Sequence, residues 1–313
     1  MIAQKSIVKI TGLSHRYTVN WAIRDINFEI PETGVLGLLG SNGAGKSTTM
    51  NILCGVLNQT AGDVLIDGIN MRREPEKAKR LIGFLPQSAP LYLEFTIDEY
   101  LTYCAHLRQM DEKQIPRAVT EVKDKCGIAQ YGNRLLRNLS GGYRQRVGIA
   151  QAIIHKPRLV VLDEATNGLD PNQIIEVRKL IREIAEERAI IFSSHILSEI
   201  QATCRDVIMI EEGRMVFADT MEAFNNFAAQ ESIIIKMEAP PSLQELGRIP
   251  GITKVELLGT NTYRMRFDGS PDISERVVRM SVEKGWRPVE VSREKSSLDE
   301  VFAQLSNKRK KSN

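Results

Sequence analysis

No stretch of this sequence approaches the roughly 18 consecutive apolar residues that a membrane-crossing helix needs. The opening MIAQKSIVKI lacks the apolar segment of a secretory leader. Cysteine is sparse. Cys54, Cys104, Cys126 and Cys204 are widely separated and form no C-x-x-C pair, so isolated thiols in a reducing compartment are expected rather than a zinc site or a disulfide framework. An excess of one charge sign is also missing. The net charge is +3, but the tail NKRKKSN supplies four of the 42 basic residues, leaving 38 against 39 acidic ones. A nearly neutral body offers no broad nucleic-acid surface, and no nucleic-acid partner is expected. The tail, residues 307–313, reads as a solvated basic end, with contact to anionic lipid as a second reading. If this chain works at a membrane, it is expected to do so from the cytoplasm through a partner.

What is present is an ordinary globular composition, 42% hydrophobic and 26% charged, over 313 residues, enough for two domains. The pattern predicts an α/β domain over 5–228, opening with short antiparallel strands in SIVKITGLSH and WAIRDINFEI. GVLGLLG is a continuous apolar run, as for a strand buried on both faces. Asp67-Gly68 marks a hairpin. A helical subdomain is expected at about 88–155, after which RLVVLDE, a helix near 171–187 and AIIFSSH resume the alternation. Composition changes after about residue 228, and 229–306 reads as a small α+β accessory domain ending in a short helix at SLDEVFAQL.

Gly40, Gly45, Lys46 and Ser47 in GSNGAGKST satisfy G-x-x-x-x-G-K-[ST] between an apolar strand and a helix-compatible run. Such a loop wraps phosphates in backbone N–H groups at a helix N-terminus; Lys46 would reach the β/γ oxygens and Ser47 would hold Mg²⁺. The partner carboxylate is Asp163, at the end of LVVLDE, where ligands collect on parallel sheets. Glu164 beside it would be a general base facing the attacking water. Gln87 and His195, each following an apolar run, fit the ends of neighbouring strands. Tyr17 and Trp21 are both available to stack on a base.

The stretch LSGGYRQR at 139–146 contains no acid, base or thiol. Ser140 is a good N-cap residue, and Val147, Ala150 and Ile154 give one apolar face, so a helix beginning Ser-Gly-Gly is predicted. Its bare N–H groups could meet a second phosphate. GSNGAGKST, LPQ, LSGGYRQR, VVLDEATNGLD and SSH, in this order, resemble the ATP-binding cassette (ABC) ATPases. The resemblance implies a P-loop NTPase core with an N-terminal antiparallel β subdomain and an inserted helical subdomain. It implies ATP and Mg²⁺ as ligands, and two cassettes packed head to tail. Tyr17 would stack on adenine, and Ser41, Asn42, Gly43, Ala44, Gly45, Lys46, Ser47 and Thr48 would wrap the phosphates. Gln87 would touch Mg²⁺ and water and relay nucleotide state. Ser140, Gly141 and Gly142 would bind the γ-phosphate held by the opposing cassette. Asp170 would lie at the seam, and His195 would hold γ-phosphate and water. The chain departs from the common family pattern at Tyr143, Ala165 and Asn167.

Only 94 residues separate Lys46 from Ser140, too few for the long coiled coil of chromosome-maintenance relatives. One cassette without membrane spans is similar to a transporter subunit working with membrane-spanning permease chains at the inner face of the cell membrane. The extension ending in SSLDEVFAQL resembles bacterial multidrug, sodium and antibiotic-export ATPases. YRQR and GLDPNQ are also similar to gliding-motility-type cassettes. The alternatives are a soluble ATP-dependent regulator or assembly factor, and an importer subunit.

Overall fold

The computed structural model describes residues 6–228 and 232–294. The expected SLDEVFAQL helix and the basic tail lie outside them. The chain divides into two compact units, Met1–Met221 and Glu222–Asn313, ahead of the composition change at about 228.

In chain order, the first unit runs β1 (Ser6–Tyr17), β2 (Asn20–Pro31), β3 (Gly34–Leu39), α1 (Lys46–Leu53), β4 (Ala61–Ile66), β5 (Ile69–Asn70), α2 (Pro75–Arg80), β6 (Ile82–Leu85), α3 (Ile97–Leu107), α4 (Ile115–Lys125), α5 (Gly141–Ile153), β7 (Leu159–Asp163), α6 (Pro171–Ala185), β8 (Ala189–Ser194), α7 (Leu197–Thr203), β9 (Asp206–Glu211) and β10 (Arg214–Thr220). α8 (Met221–Ala228) follows at the boundary. This is a mixed α/β fold of the P-loop NTPase type. An antiparallel sheet of order β2-β1-β4-β5 lies beside a sheet of order β10-β9-β3-β8-β7-β6. The two share one core, in which Ile10, Ile26 and Val64 of the first sheet meet Leu38, Val161 and Ile191 of the second.

In the larger sheet β3, β6, β7, β8 and β9 run parallel, and β10 closes the edge as an antiparallel hairpin strand. Every residue of β7 and β8 is buried, which accounts for their unbroken apolar sequences. Because these strands point the same way, their carboxyl ends reach one edge. The register sets Leu85 against Leu162, Asp163 against Ser193, and Leu39 against Ser194. Four segments of distant sequence thus start their loops from one row.

The Asp67-Gly68 hairpin forms, with φ of 49° and 79° at its two central residues, the left-handed pair that a two-residue turn demands. Helices α3 to α5 occupy the region expected to be helical. Thr96 and Glu99 form a reciprocal capping box that starts α3. α5 is buried more completely than one apolar face requires: Val147 through Ile154 are all shielded. It lies directly on β6, and a Cβ on Gly83 would fall 1.8 Å from the Ala152 carbonyl oxygen, so only glycine permits this approach.

The second unit contains β11 (Ser232–Met237), α9 (Leu243–Leu246), β12 (Ile252–Gly259), β13 (Thr262–Phe267), α10 (Ile273–Glu283) and β14 (Pro288–Glu294). Its antiparallel sheet has the order β12-β13-β11-β14. Ile233, Ile235, Met265, Val277 and Trp286 form its own core. No helix of the described residues is long and apolar enough to cross a membrane. The four thiols are buried and free, and burial raises their pKa values, so none is poised to react.

Candidate functional site

β3 delivers the chain into the loop at 40–48, whose curvature needs glycine at two points. Gly43 has φ 82° and Gly45 φ 109°. A Cβ at Gly45 would also stand 2.5 Å from the Ile23 side chain and 2.9 Å from the Ala22 carbonyl oxygen. α1 begins at Lys46, so its first N–H groups face the space the loop encloses. Lys46 is 5% exposed, and its Nζ donates to the Gly40 and Ser41 carbonyls at 2.8 and 3.0 Å. Burial lowers its pKa, against the opposing pull of Glu164, Asp163 and Glu211. The result is a fixed cation held by its own loop, at a helix N-terminus.

The ends of β6, β7 and β8 supply the opposite wall. Ser193 Oγ donates to Asp163 Oδ1 at 2.5 Å and accepts from the Glu164 N–H at 2.9 Å. Glu164 itself has φ 50°, a conformation unfavourable for a residue with a Cβ and held by its surroundings. That turn aims its carboxylate into the cavity. Gln87 Nε2 donates to Oε2 at 2.9 Å, Asn167 Nδ2 donates to the same oxygen at 3.3 Å, and His195 Nδ1 lies 3.3 Å from Oε1. The cavity is about 660 Å³. Asn42, Gly43 and Gly45 to Thr48 line one side; Gln87, Glu164, Asn167 and His195 line the other. Phosphate oxygens fit the first wall, and a water in line with them fits the second.

The donor set also suits Mg²⁺. The Ser47 hydroxyl, Gln87 amide oxygen and Asp163 carboxylate are hard oxygen groups, but Asp163 is buried against Ser193 and does not itself line the cavity. Among the described residues no three His, Cys, Asp or Glu side chains form a metal cage.

Comparison with known proteins agrees with this geometry. Residues 23–167 match the ABC transporter family profile. The bacitracin transport ATP-binding protein BcrA of Bacillus licheniformis is 37% identical over 213 residues, 67% of this chain and 69% of the relative. The ATP-binding protein NatA of Bacillus subtilis is 33% identical over 233 residues, 72% of this chain and 95% of that protein. This chain belongs to the ABC transporter ATP-binding proteins. It is an ATPase of that family. The structure of cbiO1 from Clostridium perfringens, part of the ABC transporter complex cbiONQ, aligns with a TM-score of 0.64 at 29% identity, covering 70% of this chain and 90% of cbiO1.

The cassette places the expected residues unevenly. Tyr17 lines the cavity, half exposed and edge-on to His15 at 4.8 Å. Trp21 does not line it and sits against the Arg16 and Arg24 guanidinium groups. Ser41 does not line the cavity: its hydroxyl donates to Glu211 at 2.9 Å, pinning the loop's start to β9. Gly40 and Ala44 are likewise behind the wall, Gly40 because Ile210 of β9 passes against it.

The signature segment stands apart. Ser140, Gly141 and Gly142 do not line the cavity. Ser140 occupies the N-cap position of α5, but its hydroxyl makes no capping hydrogen bond, contrary to what its residue type led us to expect. Asp170 caps α6, accepting from the N–H groups of Asn172 and Gln173 at 3.0 Å. Tyr143 packs its ring edge-on against Tyr131 at 4.7 Å, bracing the first turn of α5. Sequence reasoning missed Ser193, Glu211 and Asn167 as site-building residues.

Proposed function

We propose that this cassette binds and hydrolyses ATP as one half of a head-to-tail pair and drives export through separate membrane-spanning subunits. The observation that carries it is the Glu164 carboxylate, held between Gln87 and His195 across the cavity from Lys46. Tyr17 stacks on adenine, and the loop from Asn42 to Thr48 with Lys46 grips the phosphates. Ser47, Gln87 and Asp163 would hold Mg²⁺, which would supply neutralisation of phosphate charge. Glu164 takes the proton of the attacking water, and His195 fixes that water against the γ-phosphate. Gln87, at the start of the helical subdomain, reports nucleotide state to the membrane subunit.

Ser140, Gly141 and Gly142 complete the partner cassette's site, with Asp170 near the seam. That they do not line this chain's cavity supports the reading, as does the Ser140 hydroxyl left out of capping. The direction proposed is export, a reading supported by relatives named for bacitracin transport and for linearmycin resistance. The cassette then acts at the inner face of the membrane. Glu164→Gln keeps ATP binding, lowers turnover by about a thousandfold and traps the paired state. Wild-type turnover by that variant contradicts the assignment.

A further inference from the structure

Glu199 lies on α7, is 4% exposed, and has no part in the site as described so far. A carboxylate taken this far from water is unfavourable unless hydrogen bonds replace its hydration. Both replacements converge on one atom. Thr166 Oγ1 and Ser194 Oγ each donate to Glu199 Oε2 at 2.7 Å. The Arg178 guanidinium of α6 stands 3.9 Å from Oε1.

One donor lies in the loop that carries Glu164, and the other is the last residue of β8, immediately before His195. Thr166 lies two residues after Glu164 and next to Asn167, in a turn closed by the Asn167 N–H donating to the Glu164 carbonyl at 3.0 Å. Ser194 precedes His195. Its hydroxyl donates to Glu199 and accepts from the Ile196 N–H at 3.0 Å, so a small hydrogen-bonded ring closes around His195. β7 and β8 are paired only as far as Asp163 and Ser193. Beyond that rung the backbone ladder no longer fixes the distance between the loops.

We propose that Glu199 is a positioning residue that clamps the Glu164 loop to the His195 loop through a single carboxylate oxygen. The clamp sets the 3.3 Å contact between His195 Nδ1 and Glu164 Oε1. It acts through Thr166 on one loop and through the Ser194 ring on the other, and touches no reacting atom. Glu164 needs such support because its φ of 50° persists only where neighbouring contacts impose it. The inference rests on the roles proposed for Glu164 and His195.

The test compares ATP turnover, KM for ATP and thermal unfolding of the full chain for Glu199→Ala, Glu199→Gln, Thr166→Val and Ser194→Ala, with Glu164→Gln as reference. A clamp lost by Glu199→Ala loosens geometry rather than binding, so kcat falls about 100-fold with KM for ATP unchanged. Glu199→Gln keeps a carbonyl oxygen able to accept both hydroxyl protons, and restores most of that rate. Thr166→Val and Ser194→Ala each fall between. A folded Glu199→Ala chain with wild-type kcat overturns the clamp, even where its unfolding temperature drops, while an inactive Glu164→Gln leaves the site reading standing. If Glu199→Ala does not fold, the Thr166→Val, Ser194→Ala double variant decides: wild-type kcat overturns the proposal and a lowered kcat at unchanged KM supports it. Wild-type turnover by Glu164→Gln removes the site reading, and the clamp with it.

Discussion

The amino termini of α1 and α5 share their chemistry: small residues, N–H groups with no side chain in the way, and a helix dipole behind them. Their surroundings differ. At α1 the carboxyl ends of three other strands bring Glu164, Gln87 and His195 opposite the loop, around a buried lysine. At α5 the nearest neighbours are of another kind. A Cβ on Gly142 would meet the Gln173 side chain, one on Gly141 would approach Leu169, and Tyr143 leans on Tyr131. A helix terminus can cradle a phosphate, but hydrolysis also needs a positioned base, and only the first terminus has one in its own chain. Under the head-to-tail proposal, the second acts on a phosphate that another chain brings to it.

The largest expected contrast is in nucleotide binding. Lys46→Ala removes the charge at α1 and weakens ATP binding about 100-fold, as loss of a charge-assisted contact of roughly 3 kcal/mol implies. Ser140→Ala, at α5, leaves ATP affinity of the isolated chain unchanged while lowering turnover. Equal weakening of binding by the two variants, measured by calorimetry, breaks the comparison.

Acid probes the other end of α5, where His155 Nε2 lies 3.1 Å from the Ile82 carbonyl oxygen. Burial first, then the nearby Arg108, pushes the imidazole pKa down to about 4. A group depressed below its unfolded value near 6.5 is less protonated in the fold than in the open chain. Its contribution is therefore intact above about pH 6.5 and declines as pH falls through the window to about 4, reaching about 3 kcal/mol. Denaturant titrations at pH 7 and pH 4 measure it, and His155→Gln flattens the slope.

Smaller still is the contrast between glycines. Gly45→Ala is strained twice over, by its positive φ and by a backbone oxygen 2.9 Å from the new Cβ, and costs about 1–3 kcal/mol. Gly142→Ala meets the side chain of Gln173, which can swing aside, so thermal unfolding shifts little. A larger shift for Gly142→Ala than for Gly45→Ala contradicts the picture of a tight loop at α1 and a looser setting at α5.

Much of this is legible in the amino-acid sequence alone. The buried strands announced themselves as unbroken apolar runs, and the loop at 40–48 as a fixed spacing of glycine, lysine and serine, because those signals are local. What escaped reading depends on how distant segments align. The Ser193 bridge requires the register that sets it against Asp163. Ser41 turns away from the cavity because Glu211 arrives beside it on β9. α5 is buried nearly all round because Gly83 lets it rest on β6, a fact no periodicity within α5 contains. The left-handed turn at Glu164 is equally silent in sequence, since nothing in its residue type calls for it.

The central claim is that the α5 terminus serves a second chain. Mixing a Lys46→Ala chain with a Ser140→Arg chain tests it most directly, by measuring ATP hydrolysis of the mixture against each variant alone. A head-to-tail pair retains one intact composite site, formed by the loop of the Ser140→Arg chain and the signature of the Lys46→Ala chain, so the mixture hydrolyses ATP where neither variant does. If each chain uses its own signature, no intact site exists in any pairing, and a mixture as inactive as its parts contradicts the account.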